Sequence, residues 1–299
     1  MDSVLALQVT AAVLLNGAFA WHVGTWLARR WLSKAGVAPE KSEGLLRSSD
    51  ICAAVVGVLG ALAAIWASTA VMGGVGLLEA KEFVWQMLSA TAIGRAAYIS
   101  LAAIAVALIL RVLSTTAPWR DWAVLLALAV FAFVRASMGH AGENGYWTAP
   151  FAAEVVHLAA MGVWTGLVAV SAWKVLSASS LQIELNSMGT YLDAMSNAAL
   201  AAVVTIFATG VFNAWHRVGS VSRLFEFDVY TIALLVKVGL VGIALFLGGF
   251  NKFVGLEKAR RSSAGLHHVR FILRVESFIL LAVLIAAALL TTQQPPAAM

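Results

Sequence analysis

The sequence has a single cysteine, Cys52, and only five prolines among 299 residues. One cysteine excludes both a disulfide framework and a cysteine-rich metal cage. Charged residues are also scarce, at 12% of the chain, whereas 61% of the residues are hydrophobic. Soluble domains carry about 25% charged residues and roughly half apolar residues. One water-soluble core could not bury so much apolar surface in a chain of this length, so the sequence predicts a membrane protein.

Apolar segments long enough to cross a bilayer recur along the whole chain. A helix needs about 20 mostly apolar residues to span the hydrocarbon core. The sequence therefore predicts an all-α, polytopic membrane protein: a bundle of about eight transmembrane helices that forms a single transmembrane domain over residues 1–299. The segment 78–90 is too short and too polar to span, and we interpret it as an interfacial helix or packed loop. The eight predicted spans are 4–28, 50–73, 94–113, 119–139, 152–175, 193–216, 228–250 and 270–292.

The distribution of Lys and Arg predicts the orientation of these helices. Two connections are strongly basic, and the connections on the opposite side hold only Lys81, Arg217 and Arg223. Because cytoplasmic loops are enriched in Lys and Arg, we expect both termini to be periplasmic. The net charge of +5 follows this topology, so no nucleic-acid partner is predicted. The basic residues are Arg29, Arg30, Lys34, Lys41 and Arg47 after the first helix, and Lys252, Lys258, Arg260, Arg261, Arg270 and Arg274 around the last connection.

Polar side chains follow one face of the fifth predicted helix and one face of the sixth. Residues three or four apart share a helix face. Because polar groups are costly in hydrocarbon, both stripes are expected to face the bundle interior or each other. The fifth-helix stripe is Glu154, His157, Met161, Trp164 and Thr165, and the sixth-helix stripe is Thr205, Thr209, Asn213 and His216.

The predicted metal ligands gather at the outer ends of the fourth, fifth and sixth helices. Imidazole and thioether groups favour Cu(I), whereas imidazole with carboxylate accepts Cu(II) or Zn(II). Alternatives remain open for single residues: each methionine can fill packing gaps, and histidines at an interface can simply be solvated. The predicted set is His140, His157, Met161, His216, Met138 and Glu154.

Three further ionisable groups lie within predicted spans. His22 is flanked by Trp21 and Trp26 and is either an interfacial residue or an exit ligand for an ion that leaves inward. Glu276 is either the partner of a basic neighbour or a carboxylate along the ion path. Lys237, deep in the seventh helix, is expected to be an ion-pair or structural residue, because an ammonium group cannot bind metal. A possible exit path therefore runs by way of His22 and Glu276.

Five ordered blocks of sequence resemble the copper resistance protein D (CopD) family of bacterial inner-membrane proteins. The resemblance is most evident over residues 119–292. It implies copper handling at the inner (plasma) membrane, together with a separate periplasmic copper-binding partner similar to the CopC proteins. The blocks are SMGHA (137–141), VVHLAAMGVWTGLVAV (155–170), ATGVFNAW (208–215), YTIALLVKVGLVGIALFLGGFNKF (230–253) and LRVESFILLAVLIAAALL (273–290).

The expected function is a copper permease that takes copper ions from the periplasm toward the cytoplasm through a path lined by His and Met. The cargo is Cu(I) by preference, with Cu(II) as the alternative. No G-x-x-x-x-G-K-[ST] motif occurs, so ATP hydrolysis by this chain is not predicted, and neither is another enzymatic activity. Two other interpretations stay open: a membrane haem protein that carries electrons, and a static copper-binding or assembly factor.

Overall fold

The computed structural model describes residues 3–113, 117–142, 145–177, 185–218 and 229–293, and this part of the chain is all α-helical. Short 3₁₀ turns at Glu79–Glu82 and His140–Gly142 interrupt the connections. Two π-helical turns, Ser171–Val175 and Asn251–Gly255, extend the helices before them. The helices are α1 Ser3–Lys34, α2 Pro39–Gly73, α3 Val84–Ala90, α4 Ala92–Val112, α5 Pro118–Ser137, α6 Ala149–Val170, α7 Leu185–Val218, α8 Val229–Phe250, α9 Leu256–Arg261 and α10 Ser263–Thr291.

All eight predicted spans coincide with a helix. Over the described ranges, seven of these helices are long and apolar enough to cross a membrane. The exception is α5, which is 20 residues long and carries Arg120, Asp121 and Arg135. The segment 78–90 forms a 3₁₀ turn and the seven-residue helix α3. It is too short to span, as predicted.

The first two helices are longer than their apolar segments. The sequence places the end of the first span at residue 28, whereas α1 continues to Lys34. Similarly, α2 begins at Pro39 rather than at residue 50. Proline suits the first turn of a helix because its missing N–H would have no partner there. As a result, Arg29 and Arg47 belong to helices and not to the connection in which the sequence analysis placed them.

Helix α1 lies at the centre of the described bundle and separates two apolar clusters. On one side, Phe19 packs with Leu128 and Phe131 of α5 in a cluster shared with α2 and α4. On the other side, Ala28 and Leu32 join a larger cluster formed with α6, α7, α9 and α10. Helix α8 packs chiefly along α10. The polar stripe of α6 is therefore positioned by α1 behind it and α7 beside it.

Glycine allows α1 and α6 to pack backbone against backbone. A Cβ on Gly166 would lie 1.9 Å from the carbonyl oxygen of Ala20, and one on Gly24 would lie 2.3 Å from the oxygen of Gly166. A Cβ on Gly162 would lie 2.5 Å from the ring of Phe19. Small residues four apart permit this close approach between membrane helices. The contact fixes the depth of α6 relative to α1.

Candidate metal path

The polar stripes of α6 and α7 contact each other, as predicted. The imidazole Nδ1 of His157 lies 2.9 Å from the hydroxyl Oγ1 of Thr209. One turn nearer the start of α6, the amide Nδ2 of Asn213 donates to the Glu154 carboxylate over 2.9 Å. We call these four residues the polar seam. It joins the N-terminal part of α6 to the C-terminal part of α7.

Thr209 bonds to its own helix as well as to His157. The Thr209 hydroxyl donates to the carbonyl oxygen of Thr205 over 2.7 Å. With its proton used there, the hydroxyl can accept from Nδ1 of His157, which is the tautomer that carries its lone pair on Nε2. Metal-binding histidines are commonly held in this way, with one ring nitrogen bonded to a partner that fixes the tautomer. The seam thus holds the ring of His157 in one orientation between α6 and α7.

The carboxylate of Glu154 has one hydrogen-bond donor shown, Asn213, and one cation within electrostatic range. That cation is Arg135 of α5. Arg135 lies in the last turn of α5. Helix α5 packs against α6, so the charge of Arg135 acts on the same end of the seam. The guanidinium group partly offsets the negative charge at this end of the path.

The structure does not show the three predicted histidine ligands side by side. His140 opens the 3₁₀ turn His140–Gly142, but its side chain lies outside the described set. His216 is exposed, its Nδ1 lies 3.1 Å from the carbonyl oxygen of Phe212, and its ring stacks on Phe212 at 4.2 Å. Over the described ranges, no group of three or more His, Cys, Asp or Glu side chains is arranged to hold a metal. Convergence of the histidines therefore stays a prediction.

The two predicted methionine ligands lie in different surroundings. Met161 is half-buried on α6, one turn beyond His157 and on the same side as the seam. Met138 caps the C-terminus of α5 and packs against an apolar cluster of Ile65, Met87 and Ala97. That cluster joins α2, α3 and α4 rather than α6 and α7. The contacts of Met138 are those of a packing residue.

Farther along α6, the stripe reaches the buried carboxyl group of Glu276. The indole Nε1 of Trp164 donates to Oε1 of Glu276 over 3.0 Å. Glu276 is 1% exposed, and its second oxygen, Oε2, has no hydrogen-bond partner in the described part. The neighbouring backbone of α8 is Gly248, where a Cβ would lie 3.2 Å from Oε1. The polar face of α6 therefore runs about 15 Å, from Glu154 to Trp164, at 1.5 Å per residue.

His22 faces away from this path. Ala20 and Gly24 contact α6. His22 is two residues from each of them, which places it on the opposite side of α1. There His22 is fully buried, with Nδ1 3.6 Å from Oδ1 of Asp50 on α2. The described contacts of His22 and Glu276 are thus on different sides of α1, and a shared exit through both stays a prediction.

Asp50 is the centre of an ion network that the sequence analysis did not predict. Its Oδ2 lies 2.6 Å from Arg29 and 3.4 Å from Arg111, and all three side chains are buried. The pattern of apolar and polar residues along each helix does not predict this network, because its members come from four different helices. With one charge on each Asp, Glu and Arg and a neutral histidine, the network is balanced at three positive and three negative charges. Its members are His22, Arg29, Glu43, Asp50, Arg111, Arg120 and Asp121.

The fold and the site define a multi-pass helical membrane protein with a polar face, held by hydrogen bonds, inside an apolar bundle. Two family models match this chain. The copper resistance protein D-like N-terminal domain matches residues 1–149, and copper resistance protein D matches residues 190–290. The chain belongs to the copper resistance protein D family. No curated protein gave a match. The resemblance drawn from the five sequence blocks is confirmed, and the protein is a membrane protein of a family involved in copper resistance.

Proposed function

We propose that this protein is a permease of the bacterial inner membrane that moves copper ions from the periplasm toward the cytoplasm. The observation that carries the proposal is the 2.9 Å contact between His157 and Thr209. It holds the imidazole of His157 by Nδ1 at the contact between α6 and α7, within the membrane-spanning bundle. Intramembrane ionisable residues commonly mark ion pathways. The family supplies copper as the cargo.

The side chains along α6 suit Cu(I) best. Met161 lies one turn from His157, so an imidazole and a thioether face the same stretch of the path. Soft thioether ligands select Cu(I), and imidazole accepts both oxidation states. Two such ligands bind a passing ion less tightly than a closed cage of four, and passage requires release as well as capture. We therefore propose Cu(I) as the preferred cargo and Cu(II) as the alternative.

The end of the path near Glu154 would be the entrance. A cation that arrives there would compete with Arg135 and Asn213 for the Glu154 carboxylate. We propose that His140 and His216, which end the neighbouring helical segments, assist capture. Because Met138 packs in an apolar cluster, its part in capture is expected to be smaller than that of the histidines. A separate periplasmic copper-binding protein similar to CopC would deliver the ion to this entrance.

Uptake of metal by the reconstituted protein tests the proposal. Vesicles that contain the wild-type protein are expected to accumulate copper supplied with a reductant, and also Ag⁺, which mimics Cu(I), in preference to Zn²⁺. The His157→Ala variant is expected to lose this uptake. His267→Ala is a matched control, because His267 is exposed and bonded to the backbone of its own helix. Uptake that is equal in wild type and His157→Ala would refute the path.

The same preparation separates the other two interpretations. A static copper-binding or assembly factor would bind the metal with the same dependence on His157 but would show no flux into vesicles. A haem protein would show a Soret band on purification. Neither result is expected, because the buried polar face continues from the seam to Glu276 rather than ending at one closed site.

A further inference from the structure

Glu276 is a carboxyl group in an apolar environment with too few partners to be stable as an anion. It is 1% exposed, and its only hydrogen bond in the described part is the one from the indole of Trp164. Oε2 is buried and accepts no hydrogen bond there. An ionised carboxylate that is removed from water needs a counter-charge or several donors. One neutral N–H donor does not meet that need.

Within the part of the chain that the structure describes, Glu276 forms no ion pair with any cation, the α8 residue Lys237 included. On α6 the contact is the neutral Trp164, and on α8 it is the backbone of Gly248. On α10 itself, the guanidinium of Arg274 lies over the ring of Trp173, 4.6 Å from its centre. On α9, Glu257 and Arg261 pair with each other at the surface.

Helix α1 also packs against α10, but its buried charges are already engaged. His22 and Arg29 both lie against Asp50, on the side of α1 that faces α2. Arg30 is exposed and lies over the rings of Trp26 and Trp122. The cation closest to Glu276 along the polar face would therefore be the transported ion itself, at Met161 and His157.

We propose that Glu276 is a proton-binding site: its carboxyl group holds a proton when the path is empty and releases it when a monovalent metal cation enters the adjacent part of the path. This inference rests on the proposed function. In the exchange, the O–H bond of the carboxyl group breaks heterolytically and the proton leaves to water. The metal cation replaces its charge, and no electron is transferred. Entry of the metal ion is thereby coupled to release of a proton.

Infrared spectroscopy tests the proton site without any transport. The metal-free wild-type protein is expected to show the C=O stretching band of a protonated carboxylic acid, and this band is expected to disappear in Glu276→Gln. Gln keeps the shape of the side chain and an oxygen that can accept from Trp164. Glu82→Gln is the matched control, because Glu82 is exposed. A band that persists unchanged in Glu276→Gln, or that is absent from wild type, overturns the proposal.

Two glycines on α8 provide a second pair of variants, should Glu276→Gln fail to fold. Gly248→Ala places a Cβ against the carboxyl group, whereas Gly249→Ala places one where no other atom lies within 4 Å. The carboxylic-acid band is expected to shift in Gly248→Ala and to stay in place in Gly249→Ala. Identical spectra for wild type and both variants would show that the band belongs to another group, which overturns the assignment.

Addition of Ag⁺ then tests the coupling. In wild-type protein that has bound Ag⁺, the carboxylic-acid band is expected to be lost, and one proton is expected to be released for each ion bound. A band that stays in Ag⁺-loaded protein overturns the exchange while leaving the permease proposal intact. Wild-type protein that binds no Ag⁺ refutes the proposed function instead, and the metal-free spectrum then decides the proton site alone.

Discussion

Trp164 and Glu276 are 112 residues apart in the chain, yet the indole Nε1 of the first donates to the carboxyl Oε1 of the second over 3.0 Å. The contact joins α6 to α10 at a point where both side chains are buried. It also links the face that carries His157 to a carboxyl group on another helix.

Trp164→Phe removes this bond while keeping an aromatic ring. Because Glu276 then loses its only described donor, we expect a loss of about 1–3 kcal/mol of stability, measured by thermal unfolding in detergent. Trp173→Phe is the matched control: its Nε1 donates to Ser277, the next residue of α10, but from an exposed position. Equal losses in both variants would show that the buried bond has no special role.

Thr209→Val is expected to weaken metal binding without removing a ligand. Val keeps the branched shape but cannot accept from Nδ1 of His157, so the tautomer and ring orientation are no longer fixed. Loss of such a supporting partner typically reduces metal affinity about 10–100-fold, which titration with Ag⁺ would measure. Thr205→Val is the control, since the Thr205 hydroxyl bonds only to its own helix backbone at Ala201. Affinity that is unchanged in Thr209→Val would contradict the role of the seam.

Substitutions of His157 and Met161 are expected to have different effects: the first on the affinity for metal, the second on the selectivity between metals. His157→Ala is expected to abolish high-affinity binding, because the imidazole is the only nitrogen ligand proposed on α6. Met161→Leu keeps a similar volume and removes the sulfur, so it is expected to reduce the preference for Cu(I) over Zn(II). Competition titrations with the two metals measure this ratio. A preference that survives in well-folded Met161→Leu would remove the thioether from the path.

Asp50→Asn is expected to destabilise the protein severely. The substitution leaves Arg29 and Arg111 buried beside a neutral amide, and breaking a buried pair in this way costs about 3–5 kcal/mol. Asp193→Asn, which removes the exposed partner of Arg260, is expected to cost at most about 1 kcal/mol. The stabilities of the two variants are compared by thermal unfolding in the same detergent. Equal stability of the two variants would show that the network does not hold α1, α2 and α4 together.

Gly166→Ala is expected to push α1 and α6 apart. The new Cβ would overlap the backbone oxygen of Ala20, and a backbone contact can be relieved only by moving a helix. We expect a loss of about 1–3 kcal/mol or more, seen as a lower unfolding temperature. Gly239→Ala on α8 is the control, because no atom lies within 4 Å of that position. A Gly166→Ala protein as stable as Gly239→Ala would contradict the close helix contact.

The orientation predicted from Lys and Arg is open to cysteine labelling. After replacement of Cys52, which is exposed, single cysteines are placed at two exposed positions on opposite sides of the predicted topology. These are Trp147, in the connection before α6, and Ala264, in the first turn of α10. A membrane-impermeant maleimide added to intact cells should label Trp147→Cys and leave Ala264→Cys unmodified. The reverse pattern would place the termini in the cytoplasm.

The sequence alone determined the class of the protein, the approximate positions of its helices and the polar faces of α6 and α7. These follow from local properties. An apolar run of sufficient length must form a helix in a bilayer, since its backbone has no other partner, and polar groups at helical spacing must share a face. For the same reason, His157, Met161 and Glu154 could be chosen as candidates before any contact was known. The family resemblance followed from the order of five sequence blocks.

Only the tertiary structure decided which side chains meet across helices. Asp50 reads from the sequence as the polar start of a span, but its partners come from α1 and α4, and no spacing rule relates them. Asn213 and Glu154 likewise meet because α7 packs on α6. The backbone contact at Gly24 and Gly166 sets the depth of α6, so His22 faces Asp50 while Trp164 reaches Glu276. Helix periodicity predicts which side chains share a face of one helix. A site also depends on how several helices are rotated and shifted relative to each other, and only their packing sets this.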